Sequence, residues 1–431
     1  MSDAPDAPVT ESSRIEGLDV LRGFALLGIL LLNILGFGML QTTYLNPGID
    51  LIGGSSLDVG VWASVDVLAE GAMRCLFSML FGAGVVLFTS DDRPRALLHY
   101  KRNFWLLAFG LFDAFILLWN GDILVTYAIA GAGLFLFRNR RPRTLIVMAT
   151  VLIVLLTLAY TGMRAGMNFM RDAAATVGSE GTIENMAGDD GVLAAAAAWQ
   201  EFRRDNVPTA EEIEAELLAR RDSYASAFAW NLPITIEFLT FVLPAFLIWD
   251  ALAMMLLGMA FYKAGILHAT RSRSFYVKMM AVGFGLGIAI NSVEVAGGII
   301  NDFDLLSVFP LMQPTYQLGR LGMACGYLAL LMLIVQSGAL PTLRRWLANV
   351  GRMALTNYLM QSFICMLIFT GAGFALVGEL SRAGLYVVVI GIWIFQLTMS
   401  TWWMARFRFG PVEWLWRVLT YGKLQPMRRA S

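Results

Sequence analysis

Apolar runs of about twenty residues recur along the whole chain, and a helix of that length is long enough to cross the hydrocarbon core of a bilayer. Hydrophobic residues make up 58% of the 431 residues and charged residues only 15%. A chain with this proportion of hydrophobic residues cannot bury most of them in the core of one soluble protein. The sequence therefore predicts an all-α, polytopic integral membrane protein.

The hydrophobic runs predict about ten transmembrane helices when they are read with a window of about twenty residues. These spans cover residues 20–40, 61–88, 103–119, 122–137, 144–163, 233–262, 275–297, 318–338, 353–377 and 383–404. Clusters of Lys and Arg follow every second span, whereas the loops at 41–60, 120–121 and 298–317 contain none. Because cytoplasmic loops carry the excess of basic residues, we expect both termini in the cytoplasm and the chain in the cytoplasmic (inner) membrane of a bacterium.

The predicted spans divide the chain into five segments. They are a disordered cytoplasmic tail (1–13), an N-terminal five-helix membrane half (14–163), an extracytoplasmic helical insert (164–232), a C-terminal five-helix membrane half (233–404) and a cytoplasmic amphipathic tail (405–431). Thr209 and Glu212 have the spacing of a capping box, which predicts a helix start in the insert. The insert is either a solvated spacer or a lid over a cavity. In the last segment, tryptophans and arginines such as Trp416 and Arg417 predict anchoring at the cytoplasmic interface of the membrane, and Glu413 after Gly410 and Pro411 predicts a turn that packs back on the spans.

Several functional classes lack the residues that they need. Cys75, Cys325 and Cys365 fall inside apolar runs without metal-ligand spacing, so we expect no metal site, no disulfide and no redox chemistry. Nucleic acid is not an expected partner of a membrane chain with zero formal net charge, and no tightly bound cofactor is expected. The only histidines, His99 and His268, lie in basic cytoplasmic segments. His99 is predicted to be a solvated interfacial residue, and the alternative is a role at a cytoplasmic-face site. Acid–base chemistry in the outer half of the membrane must then use carboxylates.

Ionisable residues within the spans mark candidate sites, because each costs on the order of 3 kcal/mol at the bilayer centre unless it is paired or hydrated. Asp66, Glu70 and Arg74 are spaced four apart, which predicts one helix face. We interpret four acids as candidate catalytic groups, namely Asp66, Glu70, Asp113 and Asp122. Five further residues are candidate cavity residues, namely Arg74, Glu237, Asp250, Glu294 and Arg320. The alternative is a set of structural ion pairs such as Glu70 with Arg320.

The first apolar run, "GLDVLRGFALLGILLLN", carries Asp19, Arg22 and Asn33. Arg22 at the cytoplasmic mouth of the helix is suited to binding phosphate, with Asp19 orienting it and Asn33 about 16 Å further along the helix. The alternative is an interfacial pair that fixes the depth of the span. In the sixth span, Pro244 predicts a kink near Asp250.

Six stretches together resemble the YeiB-type family, whose C-terminal domain is one of unknown function. They are "GLDVLRGFALLGILLLN", "TTYLNPG", "FSMLFGAG", "WNGDILVTYAIAG", "GRMALTNYLMQS" and "RFRFGPVEWLWRVLTYGKLQP", and the resemblance spans nearly the whole chain. That family is grouped with transmembrane acyltransferases. The resemblance implies an acyltransferase-like bundle that moves an acyl group from a cytoplasmic donor, typically acyl-CoA, to a small-molecule or envelope glycan acceptor.

The resemblance also assigns residues. Arg22 falls at the first-span Arg of the acyltransferases, and Asn33 stands where one branch has His and the heparan-glucosaminide type has Asn. Gly351 and Tyr358 match a Gly…Tyr-x-x-His helix in which Gln361 replaces His, and Asp113 stands where His is expected. The implied donor-binding residues are Asp19, Arg22, Asn33, Arg352, Tyr358 and Gln361. Two other functions stay open, a proton- or cation-coupled transporter or exporter that uses the outer carboxylates and a non-catalytic binder of lipid or quinone. Membrane lipids are expected partners in every case.

Overall fold

The computed structural model describes residues 16–44, 46–52, 54–89, 96–179, 190–309 and 313–429, and the predicted tail at 1–13 lies outside them. Within these ranges the regular secondary structure is helical, apart from one isolated β-bridge between Phe407 and Arg428. The longer helices are α1 (Glu16–Gly38), α2 (Ser56–Ala69), α3 (Ala72–Thr89), α4 (Ala96–Phe115), α5 (Ile123–Leu134), α6 (Pro142–Ser179), α7 (Asp190–Asn206), α8 (Ala210–Asp222), α9 (Tyr224–Glu237), α10 (Ile248–Lys263), α11 (Arg273–Ile300), α12 (Tyr316–Ser337), α13 (Pro341–Arg352), α14 (Ala354–Phe369), α15 (Arg382–Arg406) and α16 (Pro411–Tyr421).

Seven helical segments of the described chain are long and apolar enough to cross a membrane, which confirms the all-α polytopic class. An eighth is added if α13 and α14, which meet at 80°, form one bent span. The shortfall from the ten predicted spans lies in α4 and α5. Helix α4 carries Lys101, Arg102 and Asp113 within its 20 residues, and α5 continues only to Phe137 through a single 3₁₀ turn.

The first apolar run lies at the centre of the bundle rather than against lipid. Helix α1 packs against α3, α13, α14 and α15, and its Leu21, Leu26 and Leu30 are fully buried. A Cβ atom on Gly23 would lie 2.0 Å from the carbonyl oxygen of Leu347, so the backbones of α1 and α13 are in close contact there. The polar residues at the start of α1 are thereby held inside the protein.

Two predicted long spans are irregular where they carry polar residues. The second breaks at Gly71, which has a φ of 64°, so Asp66 and Arg74 do not share one continuous helix as predicted. Glycine suits this break because a Cβ atom would lie 2.6 Å from the Tyr316 hydroxyl oxygen. In the sixth span, the predicted distortion at Pro244 takes the form of a π-helix over Phe238–Leu247 that joins α9 to α10.

The insert is shorter than the segment predicted from the sequence. Helix α6 runs unbroken past residue 163 to Ser179, and α9 begins at Tyr224 rather than at 233. Helix α8 starts with the predicted capping box of Thr209 and Glu212. The guanidinium of Arg220 on α8 donates to the carbonyls of Gly36, Phe37 and Met39 at distances of 3.2, 2.8 and 2.7 Å. Helix α8 therefore covers the end of α1 and satisfies carbonyls that the helix end leaves without partners.

Candidate functional site

Two cavities border opposite ends of α1. The arginine-lined cavity has a volume of about 300 Å³ and is lined by Arg22, Arg102, Arg352 and Arg417. The carboxylate-lined cavity has a volume of about 80 Å³ and is lined by residues that include Asp66, Glu70 and Arg74. The structure thus separates the predicted donor-binding residues from two of the predicted catalytic acids.

The arginine-lined cavity has both charged and apolar residues in its wall. Besides the arginines, its charged residues are Asp19 and Glu413, and its apolar wall includes Phe77, Phe81, Leu106 and Trp416. Helices α1, α3, α4, α13 and α16 supply these residues. Such a lining suits a molecule with an anionic head and an apolar tail.

Four of the six predicted donor-binding residues line this cavity. Arg22 donates to Asp19 Oδ1 at 2.9 Å and to the Gly351 carbonyl at 3.4 Å, so Asp19 orients its guanidinium. Arg352 and Tyr358 lie on the same wall. The other two predicted residues are placed elsewhere, as Asn33 lines neither cavity and Gln361 is buried.

Gln361 belongs to a polar network between α14 and α15. Its side-chain amide donates to Gln396 Oε1 at 2.9 Å, and Gln396 donates in turn to the Asn357 carbonyl at 2.8 Å. Asn357 also donates to the Ser400 hydroxyl at 2.9 Å. These mutual bonds satisfy buried polar groups between two helices and leave Gln361 without access to the arginine-lined cavity.

Tyr358 connects the arginine-lined cavity to a buried pair of carboxyl groups. The Ile123 amide donates to the Tyr358 hydroxyl at 3.1 Å, and Asp122 caps α5 by accepting from the Val125 amide at 2.7 Å. Asp122 also lies beside the Tyr358 hydroxyl and next to Asp113. Asp113 is fully buried, and its polar neighbours are Asp122 and Ser362. Two predicted catalytic acids are therefore adjacent, immediately behind the cavity wall.

His99 is placed differently from the solvated residue that the sequence predicts. Its side chain is 3% exposed, and it lines the arginine-lined cavity. Its Nε2 lies 2.8 Å from the Gly131 carbonyl and 2.9 Å from Asn103 Nδ2. An imidazole is therefore present beside the cavity. Asn103, four residues after His99, lies one helical turn away and provides a polar partner. This spacing was the signal in the sequence that His99 is buried.

The carboxylate-lined cavity holds a hydrogen-bonded chain. Arg74 donates to the Tyr316 hydroxyl at 3.3 Å, and Tyr316 donates to Glu70 Oε1 at 3.0 Å. The Asp66 side chain accepts no hydrogen bond from the described residues. Glu294 lines an adjoining pocket with Asp66 and Glu70, and it accepts from the Thr315 hydroxyl at 2.5 Å.

Three other predicted cavity residues line neither cavity. Arg320 forms a buried ion pair with Asp250, and Gln317 accepts a further bond from its Nε at 3.1 Å, so the proposed pairing of Glu70 with Arg320 is wrong. Glu237 lies on the exposed surface at the end of α9. The ion pair between Asp250 and Arg320 holds α10 against α12 and is structural.

A contact between Tyr127 and Arg74 links the walls of the two cavities. Tyr127 lines the arginine-lined cavity, and its hydroxyl lies 2.6 Å from the Ser78 hydroxyl and 3.4 Å from the Arg74 carbonyl. The side chain of Arg74 lines the carboxylate-lined cavity. The two cavities thus approach each other at residue 74.

The C-terminal tail closes the arginine-lined cavity, as its predicted packing against the spans implies. Glu413 accepts hydrogen bonds from the backbone amides of Leu355 and Thr356 at 2.6 and 3.0 Å. It thereby provides acceptors for two N–H groups at the start of α14, which have no partner within the helix. Burial raises the pKa of Glu413, although these hydrogen bonds act to lower it. The indole N–H of Trp416 donates to the Arg102 carbonyl at 2.9 Å. Sequence reasoning assigned these tail residues to the interface and missed their place in the cavity.

Metal-binding geometry is absent from the part of the chain that the structure describes, where no group of three or more His, Cys, Asp or Glu could hold an ion.

Comparison with known proteins identifies relatives of matching length. A family model described as a protein of unknown function, DUF418, matches residues 261–423. YxaH of Bacillus subtilis strain 168 is 28% identical over 437 residues, which cover 98% of each chain. YeiB of Escherichia coli strain K12 is 30% identical over 409 residues, which cover 94% of this chain and 95% of YeiB. No solved structure matches the chain. Since the identity to YeiB extends over nearly the full length of both chains, this protein belongs to the YeiB-like family.

Proposed function

We propose that the protein is a membrane-bound acyltransferase that takes an acyl group from an acyl-CoA-type donor in the arginine-lined cavity and passes it to a small-molecule or envelope acceptor. The observation that carries the proposal is the cavity itself. Its lining combines four arginines with apolar side chains, and its volume of about 300 Å³ is that of a small-molecule site. An acyl-CoA has the matching distribution of charge and apolar surface.

In this proposal the phosphorylated end of the donor lies near Arg22, which Asp19 orients, and the acyl chain lies along Phe77 and Phe81. A guanidinium held by a carboxylate loses less conformational freedom when it binds an anion, so the pair is preorganised. Lipids that carry an anionic headgroup share this chemistry and are the expected competitors of the donor.

The proposed reaction is attack of an acceptor hydroxyl or amine on the thioester carbonyl. The bond from the carbonyl carbon to the acceptor forms, the carbon–sulfur bond breaks, and the thiolate leaves as a thiol when it takes a proton. Tyr358 and Asp122 are the groups proposed to accept the acceptor's proton and to return it, because Tyr358 lines the cavity and Asp122 lies beside its hydroxyl. Asp113, which lies next to Asp122, is proposed to support it.

We further propose a location in the bacterial inner membrane with both termini in the cytoplasm. The support is the distribution of Lys and Arg, which cluster on the side of the arginine-lined cavity. A fluorescent protein that folds only in the cytoplasm, fused after Ser431, is expected to fluoresce. A periplasmic phosphatase in the same place is expected to be inactive, and the reverse pattern would contradict this orientation.

The first test is calorimetric binding of octanoyl-CoA to detergent-purified protein. Micromolar binding that is lost in Arg22→Ala and retained in Arg171→Ala is the expected result. Arg171 is an exposed arginine on α6, remote in the chain from the cavity residues, and serves as the control. Release of free thiol on addition of acceptors then tests transfer, and Asp122→Asn is expected to bind the donor but not to release thiol.

A transporter is the second candidate, because two cavities border opposite ends of α1 and the contact of Tyr127 with Arg74 links their walls. A gate between two access states requires such a contact between two cavities. Absence of donor binding by folded protein, together with proton-coupled uptake of a cationic solute into proteoliposomes, would favour this candidate over the acyltransferase.

A further inference from the structure

Arg102 lines the arginine-lined cavity and has no role in the proposed reaction. Its guanidinium carbon lies 4.4 Å from the centroid of the Phe88 ring and 4.6 Å from that of the Trp416 ring, over the face of each. Phe88 belongs to α3 and Trp416 to α16. The guanidinium is therefore held by aromatic rings from two helices, in the arrangement that favours cation–π attraction.

The N–H groups of Arg102 are available to a ligand. None of them donates to a described residue, although the side chain lines the arginine-lined cavity. A guanidinium carries five N–H donors in a plane, and arginines enclosed by protein ordinarily use them. Rings that contact the guanidinium carbon do not satisfy these donors.

The carboxylates of the same cavity are engaged elsewhere. Asp19 accepts from Arg22 at 2.9 Å, and Glu413 accepts from the amides of Leu355 and Thr356. The positive charge of Arg102 therefore has no carboxylate partner among the described residues. A partly enclosed charge without a partner is costly, and a bound anion removes that cost.

We propose that Arg102 recognises a phosphoryl group of a phosphorylated amphiphile by donating two parallel N–H bonds to its oxygens. Aromatic rings at the guanidinium carbon leave the N–H edge as the binding surface, which suits bidentate contact with two oxygens. The rest of the amphiphile lies along the apolar wall that includes Phe77 and Leu106. This inference rests on the proposed function for the identity of the cavity, and it adds the chemical group that binds there.

The docked tail completes this phosphoryl site. Trp416 contributes both a ring over Arg102 and the hydrogen bond to the Arg102 carbonyl, and Glu413 fixes α16 to the start of α14. Binding of the phosphoryl group and docking of α16 therefore stabilise each other by linkage.

The test compares Arg102→Lys with wild type, using octanoyl-CoA and its phosphate-free analogue S-octanoyl-N-acetylcysteamine as calorimetric probes. Lysine keeps the charge but loses the planar pair of donors. We expect octanoyl-CoA to bind the variant roughly 10- to 100-fold more weakly, which is the loss of one charge-assisted bidentate contact. Binding of the phosphate-free thioester is expected not to change.

Arg138→Lys is the matched control. Arg138 also lies over an aromatic ring, at 3.7 Å from the Phe135 centroid, but it donates to the Phe135 carbonyl and does not line the cavity. Its variant is expected to bind octanoyl-CoA as wild type does. Trp416→Leu is the second test variant, and we expect it to weaken octanoyl-CoA binding several-fold. Size-exclusion profiles and thermal melting establish that each variant is folded.

Competition with phosphatidic acid in mixed micelles distinguishes a lipid headgroup from a soluble donor. Displacement of octanoyl-CoA by phosphatidic acid in wild type, but not in Arg102→Lys, supports the phosphoryl site with a lipid source. Binding of phosphatidic acid that depends on Arg102, without any binding of octanoyl-CoA, would retain the site and refute the acyl-CoA donor. Unchanged octanoyl-CoA affinity in folded Arg102→Lys and Trp416→Leu, or an equal loss for the phosphate-free thioester, would overturn the inference.

Discussion

The ion pair between Asp250 and Arg320 allows a quantitative test of which polar residues in the spans are structural. The side chains are 7% and 1% exposed, and Arg320 donates to both carboxylate oxygens of Asp250. Arg320 also contacts Gln317 and lies over the Tyr316 ring at 5.1 Å. The relevant perturbations are Asp250→Leu, Arg320→Met and the two together.

Each single substitution leaves one buried charge without its partner. Removal of one member of a buried ion pair costs about 3 to 5 kcal/mol of unfolding free energy, because the remaining ion keeps its desolvation penalty. Replacement of both members by apolar residues of similar size removes both penalties and is often close to neutral. We therefore expect each single variant to be destabilised by about 3 to 5 kcal/mol and the double variant to recover most of that loss.

The assay measures the free energy of unfolding in mixed micelles of dodecyl maltoside and increasing sodium dodecyl sulfate. Tryptophan fluorescence reports the unfolded fraction. Arg171→Met is the control, because Arg171 and Asp304 form an exposed pair at 3.8 Å that is worth no more than about 1 kcal/mol. A double variant whose loss equals the sum of the two single losses would refute the structural assignment. That result would show that the two charged side chains do not stabilise each other.

Three further substitutions test the elements that shape the cavities. Gly71→Ala is expected to cost more than about 1 kcal/mol of unfolding free energy in the same assay, because φ is 64° and the new Cβ would contact Tyr316. Glu413→Ala leaves two amides at the start of α14 without an acceptor, which costs about 1 to 3 kcal/mol, and we expect faster tryptic cleavage of the tail. Arg220→Met removes the guanidinium that donates to the carbonyl groups at the end of α1 and that pairs with Glu216. We therefore expect faster amide hydrogen exchange over residues 190–222.

Each of these predictions has a matched control. Gly60→Ala in α2 meets open space and is expected to be neutral or stabilising by about 1 kcal/mol. Glu211→Ala and Arg204→Met change exposed residues of α8 and α7 and are expected to leave proteolysis and exchange unchanged. Equal effects in a test variant and its control would contradict the assigned contact.

Hydropathy determined the fold class because a bilayer acts on each span separately. Every helix in lipid must satisfy its own backbone and present apolar side chains, so the pattern of a single run is informative without its neighbours. Short-range rules succeeded in the same way for the capping box of Thr209 and Glu212 and for the distortion at Pro244. The pair of Asp19 and Arg22, three residues apart on one helix, was also visible in the sequence.

Partnerships across the bundle were not visible, since several partners are compatible with one buried charge. On the basis of charge alone, the sequence predicts a pair of Glu70 with Arg320. In the structure, the helix break at Gly71 and the crossing of α10 place Arg320 against Asp250 instead. His99 was assigned to solvent from its basic neighbours, whereas Gly131 on the next helix buries it. These outcomes depend on distances between helices, which hydropathy does not encode.

The sequence alone therefore determined that the chain is an all-α membrane protein, which residues within its spans are polar and how its basic residues are distributed, because these properties belong to single helices. Only the tertiary structure decided which polar residues share a cavity. Helix packing brings Arg22, Arg102 and Trp416 together from α1, α4 and α16, and it leaves Asn33 and Glu237 outside. A binding site requires side chains from several helices to converge, and that convergence is fixed by the crossing of their backbones.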